Sequence, residues 1–291
     1  TAIGALTTKA IEGYAAQEQL VGGVETLFKT SSDTVVGYAN DAYKTAGMSA
    51  NEYMETVTSF SASLLASMNN DTAAAAEKAN VAITDMSDNA NKMGTDISLI
   101  QNAYNGFAKQ NYTMLDNLKL GYGGTKEEMQ RLLDDASKLS GIKYDISSYS
   151  DVVDAIHVVQ TEMGITGTTA KEASTTIEGS VSSMSSAWDN WVAGMADSEA
   201  NFSQLTSNLV DSIVTVVGNI APRVIETVPR LVSGLGEIVE QLATYIPQVI
   251  QELLPPLMSG VQDLLNTLVG MLPEMISIIG QIIPTIIDTL L

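Results

Sequence analysis

The amino-acid sequence predicts an all-α fold, and three observations carry that prediction. Helix start and stop signals recur along the chain while strand alternation does not. A sustained 3.5-residue apolar period occupies the middle, and a proline-punctuated apolar repeat occupies the end. The expected architecture has three parts: a compact bundle of short helices over residues 1–167, a long coiled-coil-like helix over 168–220, and Pro-kinked apolar helices over 221–291.

The first part follows from its punctuation. Three capping-box patterns, Ser49 with Glu52, Thr125 with Glu128 and Thr169 with Glu172, each offer a hydroxyl to first-turn amides and a carboxylate that reaches back. Each follows closely on a glycine, Gly47, Gly124 and Gly167. Asp71 before an alanine run is a further N-cap, and Gly94, Gly141 and Gly164 fit C-terminal stops. Six to eight short helices are expected before Gly167.

The second part rests on spacing. Ile177, Val181, Met184, Trp188, Trp191, Met195, Phe202, Leu205 and Leu209 recur at steps of four, three or seven, which is a heptad seam broken only at Ser198. Such a period predicts a left-handed supercoil. A stutter runs through Ile213, Val216 and Ile220, and the pattern resumes at Leu231, Leu235, Ile238, Leu242, Tyr245 and Val249. The residues between are small and polar, with almost no flanking charge pairs, so the seam specifies association more clearly than partner, and its mixture of Met, Trp, Leu and Ile does not fix strand number. A homotrimer is expected first and a hexamer next.

The third part repeats an apolar residue, proline, any residue and two apolar residues at Pro222, Pro229, Pro247, Pro255, Pro273 and Pro284, and Pro256 doubles one of them. The separations lie near whole numbers of helical turns, so in one helix the prolines share a stripe. Each proline removes an amide donor and costs roughly 3 kcal/mol in a helix interior, which predicts kinks or breaks, with a break at Pro255 and Pro256. The greasy end also raises a membrane reading. Met275–Leu291 carries one charge, Asp288, and Leu253–Leu272 holds Asp263 near its centre. A spanning helix needs about 20 apolar residues, so a resident span is marginal and burial against copies or partner proteins is the simpler fate.

Composition narrows the chemistry. The 291 residues include no cysteine and one histidine, His157, which starves thiolate and histidine metal sites and cysteine nucleophiles. Thirty-four acidic against fourteen basic residues give a net charge of -20, which repels phosphate backbones and disfavours nucleic-acid binding. Residues 1–143 hold 17 acidic and 11 basic residues, whereas residues 144–291 hold 17 and 3. The segment GYGGTKEEM around Lys126 lacks phosphate-loop spacing and is read as a helix cap. His157 with Asp154 three residues earlier lacks a nucleophile or third group and is read as structural. Asp85, Asp88 and Asp96 miss the calcium-loop pattern, and Trp188 with Trp191 is read as core of a helix association, not a ligand cage. No catalytic residue, cofactor or metal is expected. The absence of an initiator Met and of a basic stretch before an apolar run suggests no signal peptide and a piece of a longer chain.

Several long strings carry a resemblance. TAGMSANEYMETVTSFSASLL (Thr45–Leu65), DMSDNANKMGTD (Asp85–Asp96), QNAYNGFAKQNYTMLDNLKLGYGGTKEEMQRLLDDA (Gln101–Ala136) and the continuation from Gly141 to Ser180 resemble the conserved portion of phage and prophage tail tape measure proteins. The resemblance covers roughly the first two thirds, and the proline-punctuated end looks like the family's C-terminal region. It implies a non-enzymatic virion component inside the tail tube and tail tip, made in the bacterial cytoplasm. Such a component sets tail length, contacts tube and tip proteins, and leaves ahead of DNA on infection, with transient host membrane contact. A membrane-active, pore-forming protein is the alternative, and a carboxylate-based wall hydrolase comes third.

Overall fold

In the computed structural model, residues 2–245, 255–256, 258–267 and 269–270 are described. Side chains are described within those ranges except at residues 2, 3 and 242–245. Ten α-helices run to Tyr245: α1 Ala2–Phe28, α2 Ser32–Thr45, α3 Ala50–Ser67, α4 Thr72–Met93, α5 Ile97–Phe107, α6 Lys126–Ser140, α7 Tyr149–Glu162, α8 Thr168–Thr175, α9 Ile177–Gly194 and α10 Phe202–Tyr245. Single 3-10 turns lie at Lys29–Ser31 and Leu115–Leu118, and no strand occurs among the described residues. The all-α reading therefore holds. Seven helices precede Gly167, but α1 and α4 are long, with 27 and 22 residues.

Local chemistry sets most of these starts and stops. Ser49 accepts from the Glu52 amide while the Glu52 carboxylate takes the Ser49 amide at 2.8 Å, a complete capping box for α3. Asp71 accepts from the amides of Ala73 and Ala74, each at 3.1 Å, and starts α4. Gly94 and Gly141 end α4 and α6 in the left-handed region, where the missing Cβ removes the steric cost. At Thr125 only half of the expected box forms. Its hydroxyl accepts from the Glu128 amide, whereas the Glu128 carboxylate turns to the Gly123 amide and to Arg131.

The third expected box, Thr169 with Glu172, does not form. α8 begins two residues earlier, with Gly167 as its N-cap at φ +83°. Its orphan amides are taken by Asp88 of α4, which accepts from Gly167 at 2.6 Å and Thr169 at 2.8 Å. A buried carboxylate outcompetes a local hydroxyl here because its two oxygens are held in place to accept from both amides at once.

The chain divides into two units, Thr1–Val216 and Val217–Leu291. The boundary expected after Gly167 is not where the chain divides, because α8 and α9 pack onto α1, α2 and α4. In the first unit α4 is central: it touches α1, α2, α3, α5, α7 and α8. Its alanines (Ala75, Ala76, Ala79, Ala82) are fully buried and let neighbouring backbones approach closely. Large side chains from elsewhere complete the core, among them Phe28, Tyr53, Phe60, Tyr104, Phe107 and Leu132. Phe60 meets Tyr149 edge-on at 6.2 Å between ring centroids.

The second unit holds the rest of α10 and a further helical stretch over residues 258–267. Pro222 and Pro229 lie inside α10, both exposed. Pro255 and Pro256 are helical and exposed, and the residues just before them lie outside those described, as do Pro247, Pro273, Pro284 and Val249.

Candidate functional site

The expected single helix carrying the seam is three helices. α9 ends at Gly194 and α10 starts at Phe202, because the intervening MADSEAN satisfies its own backbone. Asp197 accepts from the Glu199 amide at 2.9 Å, and Asn201 accepts from the Gln204 amide at 3.1 Å. Short polar side chains that bond locally in this way offer the backbone an alternative to helix. The longest continuous helix is then α10, whose 44 residues extend about 66 Å at about 1.5 Å per residue.

α9 also presents its faces the other way round from the simplest reading of apolar spacing. Its buried side is the stripe of small and polar residues Ser180, Ser183, Ser186, Ala187, Asn190 and Ala193. These allow close contact with α1: a Cβ at Gly13 would lie 3.1 Å from the Ala193 Cβ. They also serve the α2–α3 turn. Asn190 Oδ1 accepts from the Ala50 amide at 2.7 Å, an orphan of the first turn of α3, and Ser186 donates to the Gly47 carbonyl at 3.1 Å.

The seam residues consequently lie outward or on the flank. Ile177, Val181, Trp188 and Met195 are 41%, 40%, 43% and 36% exposed and fall at steps of four, seven and seven along α9 and its C-cap, Met195. Met184 and Trp191 are half-buried and pack with Ile213 against Tyr43, Ala187 and Leu209. Trp191 stacks on Phe202 at 5.5 Å and donates from Nε1 to Thr206 Oγ1 at 3.0 Å, which ties α9 to the first turns of α10. Leu205 is half-buried and Leu209 buried. The structure thus brings Trp188, Trp191 and Phe202 into one aromatic row, with Trp188 5.3 Å from Trp191.

In the second unit, Leu231 and Ile238 of α10 are exposed and Leu235 is half-buried, while the side chain of Leu242 lies outside those described. Val224, Ile225 and Val232 are exposed as well. Residues 202–241 form the one helix among the described residues long and apolar enough to cross a bilayer, by length and composition alone. The two membrane candidates nearer the C-terminus lie mostly outside the described residues.

The chemical candidates resolve into structure. His157 does not pair with Asp154. Its Nδ1 lies 3.0 Å and 2.9 Å from the two oxygens of buried Asp85, and Asp154 instead bonds Lys78. The Asp85 hydrogen bond raises the His157 pKa against the opposing effect of burial, and burial raises that of Asp85 against the opposing effect of His157. Gln160 continues the row, donating to the Asp85 carbonyl at 3.1 Å and accepting from Asn89 at 2.8 Å. Asp88 caps α8, and Asp96 caps α5 through the Ser98 amide at 2.8 Å. Among the described residues no three acidic or histidine side chains are grouped to hold a metal. The Gly123–Gly124 turn is a close packing point, since a Cβ on Gly124 would meet the Thr113 carbonyl oxygen at 2.2 Å.

The inward face of α9 escaped sequence reasoning, although its signal, serines and alanines at steps of three and four, stands in the chain. No protein-family model, curated protein or solved structure matches the chain in comparison.

Proposed function

We propose that this chain is a structural component of a phage-type tail, a tape-measure segment that works by lying alongside copies of itself. The observation that carries this reading is the stripe of Ile177, Val181, Trp188 and Met195, exposed on a helix whose opposite side is already committed to α1 and α2. Four large apolar side chains in one line leave surface that burial against a neighbour would stabilise by about 25 cal/mol per Å². Leu231 and Ile238 offer further exposed apolar positions on α10. The quoted strings from Thr45 to Ser180 support the family reading, and the charge of -20 suits a protein that shares a conduit with DNA without binding it. In this reading the copies form a coiled-coil-like trimer or hexamer within the tube, kinked at Pro222 and Pro229, and touch tube and tip proteins.

Sedimentation equilibrium of the full chain tests the association. The wild-type chain assembles into a defined oligomer, and a variant with Ile177, Val181, Trp188 and Met195 all changed to Ser is monomeric with unchanged helix content. A monomeric wild type would remove the physical basis of the reading. The length-setting role has its own test: deleting 223–236 in the tail-bearing particle shortens tails by about 21 Å per two heptads, seen by electron microscopy, and tails of unaltered length defeat it.

A membrane-active role is the second reading, favoured by the apolar helix over 202–241. Release of dye from liposomes by the full chain supports it, and intact vesicles at saturating protein argue against it.

A further inference from the structure

A cleft of about 560 Å³ opens where α3, α4, α5, α8 and α9 meet, all within the first unit. Its wall carries four carboxylates, Glu52, Glu55, Glu172 and Glu178, and no Lys or Arg. Glu52, Glu55, Thr56 and Ser59 lie on one face of α3, while Gln101, Asn102 and Asn105 face the cleft from α5. Two carboxylates are already fixed by neighbours: Glu52 by the Ser49 amide at 2.8 Å, Glu172 by Asn91 at 2.9 Å. Each ionised carboxylate keeps lone pairs to spare.

Acidity alone would describe much of this surface. What singles out this cleft is Ser87, 5% exposed on its wall, whose Oγ is buried without a hydrogen-bond partner. Thr169 Oγ1, also on the wall, is equally without one. A buried hydroxyl left unpaired costs about 1–3 kcal/mol, so two on one wall call for a hydrogen-bond partner from outside the chain. The four glutamates, which only accept when ionised, require that partner to be a donor and to bring positive charge.

We propose that the cleft binds a linear polyamine. A primary ammonium carries three donors and no acceptor, which fits a wall that presents carboxylate, hydroxyl and amide oxygens. Its methylene spacers lie against the apolar lining of Ala46, Met48, Ala90, Ile97 and Ala173. Carboxylates contributed by three different helices, Glu52 and Glu55 by α3, Glu172 by α8 and Glu178 by α9, match a chain of separated ammonium groups better than a compact dication, which needs six or more converging oxygens. The site is independent of the tail reading, since none of its residues belongs to the α9 stripe.

Calorimetric titration of the full chain with spermidine, in about 0.15 M salt to screen loose counterions, tests the proposal. Saturable binding of one spermidine per chain is expected. Glu55→Gln and Glu178→Gln each weaken it about fivefold, the worth of one ion pair. Ser87→Ala, which removes an unpaired hydroxyl and leaves the helices intact by circular dichroism, weakens it as well. The exposed pair Glu127→Gln and Asp134→Asn, outside the cleft, leaves it unchanged. Non-saturable binding, equal loss in the outside pair, or displacement by equimolar magnesium overturns the assignment.

Discussion

His157 and Asp85 bridge α7 and α4, and the shifts of both act in the same sense on stability. Each pKa is raised in the folded chain, with Asp154 reinforcing the rise at His157 and Lys78 opposing it. Between the ordinary carboxylate pKa near 4 and the raised histidine value above about 6.5, the folded chain holds more protons than the unfolded chain. Stability from this pair is therefore full at the acid side of that window and is lost as pH rises through it. Chemical denaturation from about pH 6 to about pH 8.5 should show a falling midpoint, and His157→Gln should flatten the slope. Glu128, held down to about 2 mainly by Arg131 and also by the Gly123 amide, works in the opposite sense and only at lower pH. Two glycines give a contrast at the same scale. A Cβ at Gly179 would sit 2.4 Å from the Glu172 carbonyl oxygen, whereas one at Gly37 meets nothing within 4 Å. Gly179→Ala should cost about 1–3 kcal/mol by overpacking, and Gly37→Ala in α2 should add about 0.5–1 kcal/mol, read from thermal unfolding. The caps at Ser49 and Asp71 were legible because their partners lie within three residues. The partner of His157 was not, because Asp85 is 72 residues away.

At the level of helices, α9 separates two kinds of information. Its apolar period is plain in the chain, and its direction is not, since spacing tells which residues share a side but not which side the fold covers. Here the serine and alanine stripe is covered because it permits the α1 backbone near Gly13 to approach and because Asn190 and Ser186 satisfy the α2–α3 turn. The outcome ranks substitutions in an order opposite to hydrophobicity. Ser183→Leu, at a position 6% exposed, should cost about 1–3 kcal/mol in urea unfolding. Val181→Ser, 40% exposed, should change the monomer by less than about 0.5 kcal/mol while weakening assembly. If Val181→Ser proves the more damaging to the monomer, the assigned faces are reversed. The end of α9 was hinted at by Ser198, where the seam skips, but the local turn at Asp197 and the bond from the Gln204 amide to Asn201 decide it.

Across the whole molecule, charge opposes the association that the exposed stripe favours. Copies that each carry -20 repel at long range, and salt screens that repulsion while leaving apolar contact intact. Raising salt from about 0.05 M to about 0.5 M should therefore tighten self-association, followed by sedimentation velocity; loosening would point to ion pairs as the adhesive. The all-α class was legible for the described residues, since caps and periods are local. The division after Val216 lies near the boundary expected after residue 220, but the joining of α8 and α9 to the first unit was not legible, because it depends on where they dock, which no local pattern records. The loan of Asp88 to α8 bears on time as well as on place. α3, α4, α5, α6 and α7 each begin with an acceptor from their own first residues, so they can nucleate early in refolding. α8 must wait for a side chain 79 and 81 residues upstream in sequence, and in pulse-labelled hydrogen exchange its amides should gain protection only after those of α4.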